Sequence, residues 1–359
     1  MSARPMWPGW GSGLVVLCVA VAGGAFVAVG QEPIIIDHTC TRIHLVPAYW
    51  IEQAKQLTIH YAHTSHGGQI NTGAEVFEGI DPWYSFARRQ SPTEGLPPIE
   101  DPPALRMYDG NPPETYIEPN DYWDGEPGKN RTRAVAATGN YMFSMWSWCG
   151  QQSSNSEATT QRYLDTMAQF EIEFPSMRFI YMTGHTDGTG ETGNLNLRNE
   201  QVRNYCIANN KVLFDFADIE SYDPDGNYYL DRGCNDYCNY VGGNWANEWC
   251  AAHPGDDLCV SCSCAHSKAL NCNLKARAFW WMMARLAGWP GPPRSDLDGD
   301  ADVDLDDFTI FQPCFNGPNR TYPPDCNAAD LDDDGDVDLS DFSEFATCFN
   351  GPNRAARCW

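Results

Sequence analysis

Positive charge is scarce in this chain. Lys and Arg number 23 against 48 Asp and Glu, for a formal net charge of −25. A surface of that sign repels a phosphate backbone, which excludes nucleic acid as a partner. Long apolar runs are scarce too. The one extended run, Leu14 to Val29, follows Arg4 and ends in Ala28-Val29-Gly30, a small-x-small cleavage site before Gln31. Residues 1–30 therefore read as a secretory signal peptide, giving a secreted, extracellular protein without a stable membrane anchor. A retained anchor is the alternative; Leu17 before Cys18 argues against a lipoprotein site. An exported acidic chain with 13% aromatic residues suits a neutral substrate such as a polysaccharide.

Cysteine, by contrast, is plentiful. Removing Cys18 with the leader leaves fourteen of fifteen, ten between Cys40 and Cys272 and four in the tail. Even numbers in each region suit two separately stapled domains in an oxidising compartment. Cys259-x-x-Cys262, inside the dense set from Cys234 to Cys264, has zinc-ligand spacing as an alternative.

From residue 31 to 288 apolar strand-like runs alternate with helical spacing, the pattern of an α/β fold with a parallel sheet between helices. Strands are expected over Leu57–Ala62, within Asn140–Trp148, over Met177–Met182 and over Lys211–Asp218. Helices are expected over Gly73–Ile80, Ser153–Phe170, Leu195–Asn209 and Lys268–Leu286. Residues 82–134, rich in Pro, Gly, Asp and Tyr, read as one long irregular excursion of the kind that carries function. The organising stretch is Leu57-Thr-Ile-His-Tyr-Ala-His63-Thr64-Ser65-His66-Gly67-Gly68. A buried strand ends there in a hydroxyl between two histidines, followed by glycines that let the chain turn into a helix. Ligands of open α/β sheets bind beyond such carboxyl ends, so Ser65 is a candidate nucleophile. Later runs end comparably, in Cys149-Gly150-Gln151-Gln152 and in Thr183-Gly184-His185, and Ala265-His266 precedes the last long helix.

This order of strand-end residues resembles the SGNH (GDSL-type) hydrolases over roughly residues 50–288. The resemblance implies a three-layer α/β/α, flavodoxin-like domain that hydrolyses acyl esters without a catalytic cofactor. By position it implies Ser65 as nucleophile, His266 as base, and Gly150 with Gln151 as oxyanion donors. The chemistry agrees: a hydroxyl needs a base as it attacks, and the oxyanion needs preorganised N–H donors. The sequence departs from the family at His63-Thr64-Ser65, at Gly150-Gln151, and at Ser263, where an acid would orient the base. Asp256 or Asp257 reaching back to His266, a backbone carbonyl, or a Ser–His dyad would fill that role. His63, His66 and His185 line the expected pocket.

Two other readings stay open. His63, His66 and His185 converging beyond the strands would make a metal-dependent hydrolase. An inert Ser65 with a carbohydrate-gripping aromatic excursion would make a binding protein.

After a proline-stiffened linker at 289–294, residues 295–359 hold sixteen acidic residues against three arginines. They carry a duplicated motif at an offset of thirty-four residues. Asp296, Asp298, Asp300, Asp302, Asp304 and Asp307 stand at positions one, three, five, seven, nine and twelve of the first loop. Asp330, Asp332, Asp334, Asp336, Asp338 and Asp341 stand at the same positions of the second. Oxygen ligands in that spacing, with an apolar residue at eight, are what a Ca²⁺ loop needs. Each copy ends in the same Cys-Phe-Asn-Gly-Pro-Asn-Arg. The tandem resembles dockerin-type repeats, which implies two structural Ca²⁺ ions, a small α-helical module and a cohesin-like partner. Ala301 at position six, in place of glycine, weakens the first loop in this reading. Cys314 with Cys326 and Cys348 with Cys358 are the natural local pairs.

Overall fold

The computed structural model describes residues 32–299, 302–352, 354 and 358; the leader reading of residues 1–30 lies outside them. Seven strands, β1 (Ile34–Ile36), β2 (Thr58–His63), β3 (Phe86–Gln90), β4 (Leu105–Asp109), β5 (Phe143–Ser147), β6 (Arg178–Met182) and β7 (Val212–Phe214), form one sheet. Their order is β1-β7-β6-β5-β2-β4-β3, and each pairing is parallel. The chain builds outward from β2 to one side through β3 and β4. It then crosses to the other side at β5. The β2/β5 boundary is thus the topological switch point, where open parallel sheets bind ligands. Numbered from β2, the order is 2-3-1-4-5-6 rather than the flavodoxin order 2-1-3-4-5.

All residues of β2 and β5 are buried, so both faces of the central sheet are covered. The helices are α1 (Ala48–Ala54), α2 (Gly68–Ile80), α3 (Gly125–Ala136), α4 (Glu157–Glu173), α5 (Asn194–Ala208), α6 (Phe216–Ile219), α7 (Trp245–Ala252) and α8 (Ala269–Leu286). One set, α1, α2, α6 and α7, packs around α8, and α4 packs on α5. Helix α8 is apolar around most of its circumference and is buried from Leu270 to Ala284, including Lys275 and Arg277.

Gly73 sets the spacing between α2 and α8. A Cβ there would stand 2.4 Å from the Cys272 carbonyl oxygen and 3.0 Å from Ala276 Cβ. The first neighbour is backbone and cannot rotate away. Gly73→Ala is expected to cost about 2 kcal/mol by overpacking, read as a lower urea midpoint with an unchanged m-value.

The structure corrects several boundaries. A short strand, β1, precedes the one expected to be first. Residues 82–134 are not one irregular excursion: they hold β3, β4 and α3, whose brevity and proline-rich flanks hid them. The run from Lys211 ends as a strand at Phe214, because Asp215 caps α6 by accepting Asp218 N–H at 3.2 Å. Helix α2 begins at Gly68, five residues before Gly73.

The tail has a separate small core of Val303, Phe311, Cys314, Cys326, Ala329, Leu331, Val337 and Phe345. Its two helices, α9 (Leu305–Phe311) and α10 (Leu339–Cys348), follow the two acidic loops. The duplication is reciprocal in space. Asn316 and Gly317 donate to Val337 O, while Asn350 and Gly351 donate to Val303 O. Each position-eight valine is therefore gripped by the end of the other repeat.

Candidate active site

Strand β2 delivers its last residues into a tight turn that enters α2. Gly68, Gln69 and Ile70 donate to the carbonyls of Ser65, His66 and Gly67. Gly67 has ordinary helical φ −61° and ψ −27°, so its role is space rather than an unusual backbone. A Cβ would lie 2.4 Å from His63 Cβ and 2.5 Å from Tyr61 Oη. That close approach, with Tyr61 Oη donating to Gly67 O at 2.9 Å, fixes where Ser65 and His66 point.

Beside this turn the end of β5 presents Cys149. Ser65 Oγ lies 3.2 Å from His266 Nε2 and 3.2 Å from Cys149 Sγ. Cys149 Sγ is in turn 2.9 Å from His66 Nδ1, and His66 Nε2 is 3.0 Å from Asp236 Oδ2. A continuous chain results: Asp236, His66, Cys149, Ser65, His266. The three imidazoles stack, His66 between His185 at 4.2 Å and His266 at 4.7 Å. His266 is held at positive φ of 56°, a strained backbone of the kind that collects at functional sites.

The charges follow the geometry. Burial would raise the Cys149 thiol, but hydrogen bonds from His66 and Ser65, with the His66 charge, bring it down to about 5. Burial would likewise lower His66, but its bonds to Asp236 and Cys149 lift it to about 9. Burial would raise the Asp236 carboxyl, but the bond to His66, the His185 and His66 charges and the Tyr237 N–H together lower it. Between these values the pair is a thiolate and an imidazolium.

The structure thus brings Ser65, His66, His185 and His266 together. The other expected residues are engaged differently. Gln151 accepts Cys149 N–H at 2.8 Å and gives its amide N–H to Glu118 at 2.9 Å, so its amide is already committed. Gly150 is exposed, with open space where a Cβ would lie. His63 bonds Thr64 O at 2.6 Å, with Asn71 at 3.0 Å and Asp109 at 3.2 Å from Nε2. It braces the turn from beneath. Asp256 caps Leu258 N–H and Asp257 opens the following 3₁₀ turn; among the described residues no carboxylate is bonded to His266. The acid sought there, Asp236, instead holds His66. No spacing in the sequence signalled it, since it lies 170 residues from its partner.

Cys149 was hidden by expected disulfides. The tail pairs form as expected, Cys314–Cys326 and Cys348–Cys358. In the sheet domain only Cys250–Cys259 and Cys264–Cys272 form. Cys40, Cys149, Cys206, Cys234, Cys238 and Cys262 are free thiols, and Cys149 alone among them is not buried. Bonding of Cys259 to Cys250 removes the Cys259-x-x-Cys262 zinc alternative.

His66, His185 and Asp236 present ligand atoms within 4.8 Å of one another. Both His66 nitrogens are already bonded, so an ion would have to displace Cys149 or Asp236. His60, whose ring bonds Ser144 Oγ and Gly110 O, is fully enclosed and driven down to about 4. In the tail, Asp302, Asp304 and Asp307 are buried with oxygens within 4.8 Å of one another, and oxygens of Asp296, Asp298 and Asp307 are as close, with Asp307 alone of these three buried. Asp307 and Asp341 take the same place in each loop, each accepting three backbone N–H groups. Clustered buried carboxylates of this kind fit a hard divalent cation such as Ca²⁺. Asp300 and Ala301 lie outside the described residues.

Compared with known proteins, the chain matches no family model, no curated protein and no solved structure.

Proposed function

We propose that this protein is a carboxylic ester hydrolase working by covalent acyl transfer, with acyl esters of an extracellular polysaccharide, acetyl esters foremost, as substrates. The observation that carries the reading is the hydroxyl–imidazole contact at the switch point, Ser65 Oγ to His266 Nε2 at 3.2 Å, with the Cys149 thiol beside it at 3.2 Å. A parallel sheet with this order of strand-end residues supports an SGNH-like α/β/α domain. The 2-3-1-4-5-6 strand order and the missing acid on His266 set it apart from the family pattern. Tyr237, exposed and edge-on to His266 at 6.3 Å, offers an aromatic face of the type that packs on sugar rings. The C-terminal repeats bind two structural Ca²⁺ ions in this reading and attach the enzyme to a cohesin-like partner.

The test is release of acetate from acetylated xylan, and of p-nitrophenol from its acetate, by the calcium-loaded chain. His266→Ala is expected to lower kcat, because His266 holds the Ser65 hydroxyl at the reacting centre. A chain that hydrolyses neither substrate, or a variant as active as wild type, refutes the reading.

A further inference from the structure

Acyl transfer at this site has two nucleophilic atoms to choose from, Ser65 Oγ and Cys149 Sγ, 3.2 Å apart. Their surroundings are unequal. Ser65 meets His266, whose ring has no carboxylate bonded to it among the described residues. Cys149 meets His66, whose far nitrogen is held by Asp236. That is nucleophile, base and orienting acid in series, the arrangement that activates a nucleophile and fixes the tautomer of its base.

We propose that Cys149 forms the covalent acyl intermediate, with His66 as its proton partner and Asp236 as the residue that positions His66. The proposal rests on the acyl-transfer reading and names the atom that attacks.

Ser65 then changes role. With sulfur as thiolate, its hydroxyl donates to Cys149 Sγ and its oxygen accepts from His266 Nε2–H, so serine and histidine hold the thiolate in place. The electrons balance through both halves of the reaction. The thiolate pair forms the C–S bond and the carbonyl π pair moves to oxygen. Collapse breaks the ester C–O bond, and the departing alkoxide takes the proton from His66 Nδ1. Water then attacks the thioester carbonyl while neutral His66 Nδ1 accepts its proton. The C–S bond breaks, the carboxylic acid leaves, and thiolate and imidazolium are restored. No oxidant, reductant or metal enters the balance.

A structural explanation would leave Cys149 as one more unpaired thiol. The other five free cysteines are buried, and burial pushes Cys206 and Cys234 upward, each having carboxylates nearby. Cys149 alone is partly open, and it alone is bonded to a histidine that is itself bonded to an acid. The groups facing the pair are Ser65, Thr64, Asp236, His185, His266 and, through His66, Glu220.

The experiment has two arms on the full calcium-loaded chain. In the first, acid quench during turnover of p-nitrophenyl acetate is followed by peptide mass spectrometry. An acetyl thioester on Cys149 is expected, with Cys149→Ala losing activity at least about a thousandfold and Ser65→Ala only about tenfold. In the second arm, alkylation of Cys149 by iodoacetamide is followed against pH without any substrate. Its rate is expected to reach half of its plateau near pH 5. The midpoint should move toward an ordinary thiol's, about 8.5, in His66→Ala, and part of the way in Asp236→Asn. Acetyl on Ser65 with an active Cys149→Ala overturns the proposal, and so does a wild-type midpoint of about 8.5. Absence of ester turnover with the acidic alkylation midpoint intact would refute the hydrolase reading and leave the activated thiol standing.

Discussion

Glu220→Ala is expected to destabilise the protein by about 4 kcal/mol, because it strands a buried ammonium. Lys275 and Glu220 are both fully enclosed, with Nζ to Oε1 at 2.5 Å. The pair is also the joint between two active-site loops. Glu220 Oε2 accepts Thr186 N–H at 2.7 Å and Thr186 Oγ1–H at 3.1 Å, next to His185. Lys275 donates to Gln69 as well, and Gln69 Nε2 donates to Ala265 O at 2.7 Å, next to His266. Loss of the carboxylate therefore leaves Lys275 uncompensated and Thr186 without its acceptor. Both a large fall in the urea midpoint and a loss of hydrolysis are expected. The double variant Glu220→Leu with Lys275→Met is expected to regain part of the stability, since two apolar residues remove the charge problem. It should not regain it all, since Thr186 N–H stays unsatisfied. A single variant within about 1 kcal/mol of wild type would show the pair to be marginal to stability.

How much of this was legible in the sequence depends on the range over which each signal acts. The β2 run, the α8 run and the duplicated acidic loops are local patterns, and each was readable within about twenty residues. Strands β3 and β4 were not. Phe86-Ala-Arg-Arg-Gln90 carries two arginines because it is an edge strand, and Arg88 reaches Asp109 on its neighbour at 2.8 Å. The pairing of Ser65 with His266 was legible only through the family resemblance, which implied both residues by their order along the chain. The use of His66 by Asp236 was not: it depends on how an irregular stretch from Tyr222 to Asp236 folds back over the sheet edge. Cys149 was visible but misassigned, because an exported chain with an even number of cysteines favours full pairing. The fold overrides that arithmetic by leaving five buried thiols and Cys149 unpaired.

Removal of calcium is expected to unfold the tail while the sheet domain persists. The tail core is small, eight buried apolar residues among those described, and the loops that join it are rich in Asp. With no ion, buried carboxylates such as Asp304 and Asp307 repel one another inside a low-dielectric module. At a thousandfold excess over the dissociation constant, each ion would contribute about 4 kcal/mol of stability, as much as such a core supplies by itself. Calorimetry of the intact chain should show a transition that EGTA lowers by more than about 10 °C, while the other moves little. Hydrolysis of p-nitrophenyl acetate should be unchanged by EGTA. The two loops should also differ. Gly335 at position six of the second loop adopts φ +91°, a conformation that costs a residue with a Cβ about 1–2 kcal/mol. Ala301 occupies the matching place in the first loop. Titration should therefore resolve two affinities about tenfold apart, and Ala301→Gly should bring them together. Two equal sites in the wild-type chain would show that Ala301 carries no penalty, and a tail transition indifferent to EGTA would remove calcium from the account of this module.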